Sequence, residues 1–179
     1  YIGNCCYSEL YFKQAYSFQE KENRRLNPLI PSFSNQRKVL VGLMKKVYKD
    51  KNSEAALINL YDKQLAKINV DFEDLYVETR FGSSHVIKTG NMTGKPILLF
   101  HGGNSTAPYY LAGFKNLLKQ FCIYAVDTIG HPGKSAQTGL SAKSMDYGLS
   151  ASDVITSLGF KKICCVGGSY GGGVLVKLM

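Results

Sequence analysis

Cys165-Val166-Gly167-Gly168-Ser169-Tyr170-Gly171-Gly172-Gly173 sets a serine among glycines, directly after an apolar run and directly before a helix start. Strand, tight turn and helix form the setting in which G-x-S-x-G becomes a nucleophile elbow. Glycines two before and two after the serine let the backbone bend sharply and hold the hydroxyl clear of a sheet. The same residues also read as a glycine-rich turn that merely lets a strand and a helix pack closely. A phosphate cradle fails, because Val174 and Leu175 stand where Lys and Ser/Thr would follow Gly173 in a Walker sequence, and no register gives G-x-G-x-x-G. In a chain with 18 glycines the motif needs its context.

Upstream, Ile97-Leu98-Leu99-Phe100, Cys122-Ile123-Tyr124-Ala125-Val126 and Ile163-Cys164-Cys165-Val166 are short apolar runs of the kind expected for parallel strands covered on both faces. Helical stretches lie between them. Pro108 to Lys119 carries Tyr110, Leu111, Phe114, Leu117 and Leu118 on one face, and Ser141 to Leu158 ends at Gly159. Alternating strands and helices imply right-handed crossovers in an open parallel sheet, with ligands at the carboxyl ends of its strands. Ahead of this region, Ser53 to Ile68 reads as a helix with Ser53 as N-cap and Leu57, Leu60, Tyr61, Leu65 and Ile68 on one stripe. Asp74 to Arg80 and Ser84 to Lys88 read as a hairpin turning at Phe81-Gly82-Ser83. His85, in its second strand, is read as a surface or packing residue.

The first apolar run exits into His101-Gly102-Gly103-Asn104, the second into Asp127-Thr128-Ile129-Gly130-His131-Pro132-Gly133-Lys134-Ser135, and the third into the serine turn. Three glycine-rich loops on one rim bring backbone close to a reacting group. A backbone N–H at Gly103, paired with that of Tyr170, can point two donors at a developing oxyanion.

An H-G-G loop, a D-x-x-G-H-x-G-x-S loop and a G-x-S-x-G elbow, in that order, resemble the α/β-hydrolase superfamily over residues 53 to 179. The resemblance implies an α/β fold with an N-terminal hairpin and parallel strands flanked by helices. It also implies a nucleophile at Ser169 and an oxyanion hole from Gly103 and Tyr170, with His101, Gly102, Gly167 and Gly171 shaping loop and elbow. His101 and Asp127 match structural positions of the family, and His131 reaches at most the edge of the site. In this family the acid and the histidine follow the serine. Only ten residues follow Ser169, so the chain reads as a fragment cut inside the helix after the elbow. Such a fragment is expected to expose an edge strand, to be poorly soluble or molten, and to be inactive. Cys164 and Cys165 read as small buried strand residues.

The implied function of the parent protein is serine hydrolysis of a carboxylic ester or related acyl bond. The alternative is a non-catalytic binding or scaffold protein of the same fold. Serine at the nucleophile position argues against the dehalogenase and epoxide-hydrolase relatives, which use aspartate there. The implied partner is a small-molecule acyl substrate, with neither metal nor cofactor. The sequence leaves the oligomeric state open.

Composition sets the remaining bounds. The chain of 179 residues, 45% hydrophobic and 20% charged, has the make-up of a globular domain. Residues 1 to 52 hold ten Lys/Arg against four Asp/Glu, so most of the net charge of +9 lies there and is no general nucleic-acid signal. Val39, Leu40, Leu43 and Val47 at helical spacing suggest a basic helix over Gln36 to Lys51, for which lipid or nucleic-acid binding ranks below a solvated face. Residues 1–43 read as an extension and 44–179 as the hydrolase domain. Five cysteines without C-x-x-C spacing indicate neither a disulfide framework nor a zinc site, which points to a reducing, cytoplasmic setting. No run approaches the roughly 18 apolar residues of a membrane span.

Overall fold

The computed structural model describes residues 47–179. The expected extension, residues 1–43, and most of the basic segment lie outside the described residues. Residues 47–50 form bends, and helix α1 (Lys51–Ile68) follows. Its N-cap is Asp50 rather than Ser53: the Asp50 carboxylate accepts from the Ser53 N–H at 2.7 Å and from its hydroxyl at 2.8 Å. Those hydrogen bonds hold the Asp50 carboxyl below its usual range. An N-cap takes the orphan N–H groups two or three residues on, which makes Ser53 the donor here. Tyr61, Leu65 and Ile68 of the expected stripe are buried, while Leu60 is 55% exposed.

Strands β1 (Phe72–Thr79) and β2 (Gly82–Gly90) form the hairpin, in register from Phe72 opposite Thr89 to Thr79 opposite Gly82. β3 (Lys95–Phe100), β4 (Phe121–Val126) and β5 (Cys164–Gly167) follow, and the sheet order is β1-β2-β4-β3-β5. β3 pairs in parallel with both β4 and β5. The hairpin joins β4 antiparallel, so the sheet is mixed and β2 is an interior strand. Ser84, His85, Val86 and Ile87 are accordingly all buried.

Helix α2 (Ala107–Ala112) is shorter than the Pro108–Lys119 periodicity predicts. It stops before Gly113, and a 3₁₀ turn over Lys115–Leu117 continues the path. Gly is a poor helix former, yet the turn keeps Phe114, Leu117 and Leu118 against the core. Helix α3 (Asp146–Ser157) ends ahead of Gly159, whose φ is +79°, and α4 (Tyr170–Leu178) follows β5.

The sheet is packed on both sides. Ile87, Leu99, Ile123 and Ala125 face Tyr61, Leu65 and Leu111 of α1 and α2. Val86, Leu98, Phe100 and Val126 face Tyr147, Val154 and Val174 of α3 and α4. This two-sided cover is why the strands read as continuous apolar runs rather than alternating ones. β5 pairs with β3 alone among the described residues, leaving Cys164 exposed and Cys165 half-buried instead of both enclosed.

Candidate active site

β5 ends at Gly167 and α4 begins at Tyr170, so the turn between them is Gly168-Ser169. Ser169 is exposed and has φ +53°, in the left-handed region that a non-glycine residue enters at a cost of about 1–3 kcal/mol. Close packing holds it there. A β-carbon on Gly167 would lie 2.6 Å from the Gly171 carbonyl, and one on Gly171 would run into the Phe100 carbonyl oxygen. A β-carbon on Gly168 would collide with the Tyr110 hydroxyl. The first turn of α4 closes with Gly171 N–H donating to Gly168 at 3.0 Å and Gly173 N–H to Ser169 at 3.2 Å.

The loop after β3 abuts this turn. The β-carbon position of Gly102 lies 3.7 Å from Ser169 Cβ, and that of Gly103 lies 3.6 Å from Tyr170 Cβ. His101 fixes the loop from beneath. Its Nε2 accepts from the Thr128 N–H at 3.1 Å, which leaves Nδ1–H to donate to the Gly102 carbonyl at 2.8 Å. Burial pushes the His101 pKa down, so the neutral ring ties the loop after β3 to the loop after β4.

Asp127 opens the loop after β4 and is fully buried. Its carboxylate accepts from the N–H groups of Ala107 at 3.2 Å and Lys134 at 2.9 Å, and meets His85 Nδ1 at 2.9 Å. A β-carbon on Gly133 would lie 2.6 Å from Asp127 Cγ. These contacts commit Asp127 to holding the loop. His85 is enclosed too, with Nε2 2.7 Å from Asp74 Oδ1.

His131 packs its ring 4.5 Å from that of Tyr170 and 5.9 Å from that of Tyr147, and Tyr147 lies 5.3 Å from Tyr170. Burial, with a smaller contribution from neighbouring His101, pushes the His131 pKa down to about 4. Burial and a hydrogen bond with Tyr170 push the Tyr147 hydroxyl up. Tyr110 and Tyr147 escaped the sequence reading as site neighbours. The spacings of Tyr110 to Phe114 and of Tyr147 to Val154 mark the two tyrosines only as core, and nothing local tells which core residues meet a turn. Among the described residues no His, Cys, Asp and Glu cluster is arranged to hold a metal ion, and no helix is long and apolar enough to cross a membrane.

This arrangement superposes on the crystal structure of carboxylesterase CesB (YbfK) from Bacillus subtilis with TM-score 0.64 at 31% identity, covering 70% of this chain and 44% of that one. This chain belongs to the α/β-hydrolase superfamily. Naproxen esterase from Bacillus subtilis also has this α/β-hydrolase arrangement, with TM-score 0.64 at 28% identity over 72% of this chain and 45% of that one. By sequence, carboxylesterase YbfK is 32% identical over 119 residues, which are 66% of this chain and 40% of the relative. The match thus spans about two fifths of that relative's length. No family model matches the sequence.

Proposed function

We propose that the protein of which this α/β-hydrolase chain is part cleaves carboxylic esters with Ser169 as nucleophile. The observation that carries this reading is the exposed serine held at φ +53° in the glycine-packed turn between β5 and α4. The carboxylesterase relatives support ester hydrolysis as the activity. In this reading Ser169 Oγ attacks the acyl carbon and displaces the alcohol, and water then hydrolyses the acyl-enzyme. The N–H groups of Gly103 and Tyr170 hold the oxyanion, and losing one such donor costs about a hundred- to a thousandfold in rate.

The proton of Ser169 needs a base, and the chain's three histidines fill other roles. His85 and His101 have both ring nitrogens engaged. His131, with a pKa of about 4, is a weak base at neutral pH. The superfamily's order of serine, acid and histidine sets base and acid after the nucleophile, and residues 170–179 include neither a histidine nor a carboxylate. The test is fluorophosphonate labelling of the full-length protein. Labelling of the wild type that disappears in Ser169→Ala is expected; labelling that persists in the variant, or none in the wild type, defeats the assignment.

A further inference from the structure

The glycines around Ser169 are excluded from carrying side chains by different neighbours. At Gly167 and Gly171 the obstacle is backbone, the Gly171 carbonyl for one and the Phe100 and His101 carbonyls for the other. At Gly168 the obstacle is a single side chain. A β-carbon there would collide with the Tyr110 hydroxyl and lie 3.0 Å from Cζ and 3.4 Å from Cε2 of the same ring. The φ of Gly168 is outside the left-handed region, so its own conformation does not call for glycine. What calls for it is Tyr110.

Tyr110 has a firm base. It lies in α2, its ring centroid is 5.3 Å from that of Phe114, and it packs on the core between the sheet and α1 and α2. The same segment carries the loop after β3, whose Gly102 and Gly103 meet Ser169 and Tyr170. The Ala107 N–H, at the start of α2, donates to buried Asp127 at 3.2 Å, which ties loop and helix to the end of β4. The serine turn therefore touches this segment at two places, the glycines of the loop and the tip of the Tyr110 ring. Displacing a reacting group by about 1 Å can cost about a hundredfold in rate. We propose that Tyr110 is a positioning residue: its hydroxyl abuts Gly168 and seats Ser169 against the loop that carries Gly103, and position 168 is glycine to admit it. The inference rests on Ser169 being the nucleophile. It adds a residue outside the G-x-S-x-G motif that sets where the serine stands.

The test measures the fluorophosphonate labelling rate per folded molecule, and kcat and KM for p-nitrophenyl acetate, in full-length Gly168→Ala, Tyr110→Phe and the double variant. A methyl at position 168 is expected to displace the serine and slow labelling by about tenfold or more, with the loss in kcat rather than KM. Tyr110→Phe takes away the seat and is expected to slow labelling by about twofold or more. In the double variant the methyl enters the space the hydroxyl leaves, the ring edge at 3.0 Å yielding slightly. Labelling then recovers by about fivefold or more over Gly168→Ala. A double variant no faster than Gly168→Ala, or Tyr110→Phe labelling at the wild-type rate, overturns the proposal. So does a series in which melting midpoints shift while labelling per folded molecule stays constant, since that contact would be structural alone. If Gly168→Ala does not fold, recovery of fold and labelling in the double variant supports the proposal, and their absence overturns it. A labelled wild type with a flat series removes this inference alone, and an unlabelled wild type removes the Ser169 assignment and this inference with it.

Discussion

Ser169 is held in a backbone conformation that a free residue avoids, and His131 in surroundings that disfavour its protonation. For His131 the consequence is measurable. Its folded pKa of about 4 lies below the ordinary 6.5, so between those values the unfolded chain binds the extra proton. Stability from this group is therefore complete above about pH 6.5 and is lost as pH falls toward 4; His101, also shifted down, acts in the same direction. With allowance for the part of the ring still in water, His131→Phe should reduce the loss of unfolding free energy between pH 7 and pH 4.5 by about 1–2 kcal/mol. Denaturant titrations at the two pH values measure it, and equal losses in variant and wild type would refute it. Little of this was legible in the sequence. The sequence sets His131 at most at the edge of the site, but its depressed pKa comes from burial, with a smaller contribution from His101, in a setting where the rings of Tyr147 and Tyr170 pack against it.

At the scale of elements, the hairpin depends on a buried polar chain. His85 on β2 joins Asp74 of β1 to Asp127 at the end of β4, and the Tyr61 hydroxyl of α1 lies 3.3 Å from its Nδ1. His85 and Asp127 are both out of contact with solvent. Removing one partner leaves the other's polarity buried and unanswered, which typically costs about 3–5 kcal/mol. His85→Ala in the full-length protein is expected to lose stability on that order in a denaturant melt. A loss no larger than that of an exposed substitution would show that the pairing contributes nothing. The hairpin itself was legible from alternation and a glycine turn. The interior position of β2 was not, because its second partner, β4, lies more than thirty residues downstream and local pattern carries no pairing information. The parallel strands were read more accurately, since burial on both faces leaves a mark that survives in one dimension.

For the whole chain, the open question of organisation is where the α/β-hydrolase domain begins. The Tyr48 hydroxyl donates to the Gly133 carbonyl and accepts the Gly133 N–H, both at 2.9 Å, and the tyrosine is buried. Burial raises the Tyr48 pKa, so the hydroxyl stays neutral and able to donate at physiological pH. Gly133 in turn presses on Asp127, which holds the loop after β4 and meets His85. A residue 85 positions away in sequence is therefore part of what fixes the rim of the site. The sequence reading sets the domain start near Met44, and the tie from Tyr48 makes residue 48 part of the packed domain. Deleting residues 1–44 from the full-length protein is expected to leave its melting midpoint unchanged. Tyr48→Phe should cost about 1–3 kcal/mol, because the Gly133 N–H and carbonyl lose their partner while remaining buried. A deletion that destabilises as much as Tyr48→Phe would move the boundary upstream and make the N-terminal segment part of the fold. If the deletion is neutral and Tyr48→Phe costly, the first structural residue of the domain lies between 45 and 48.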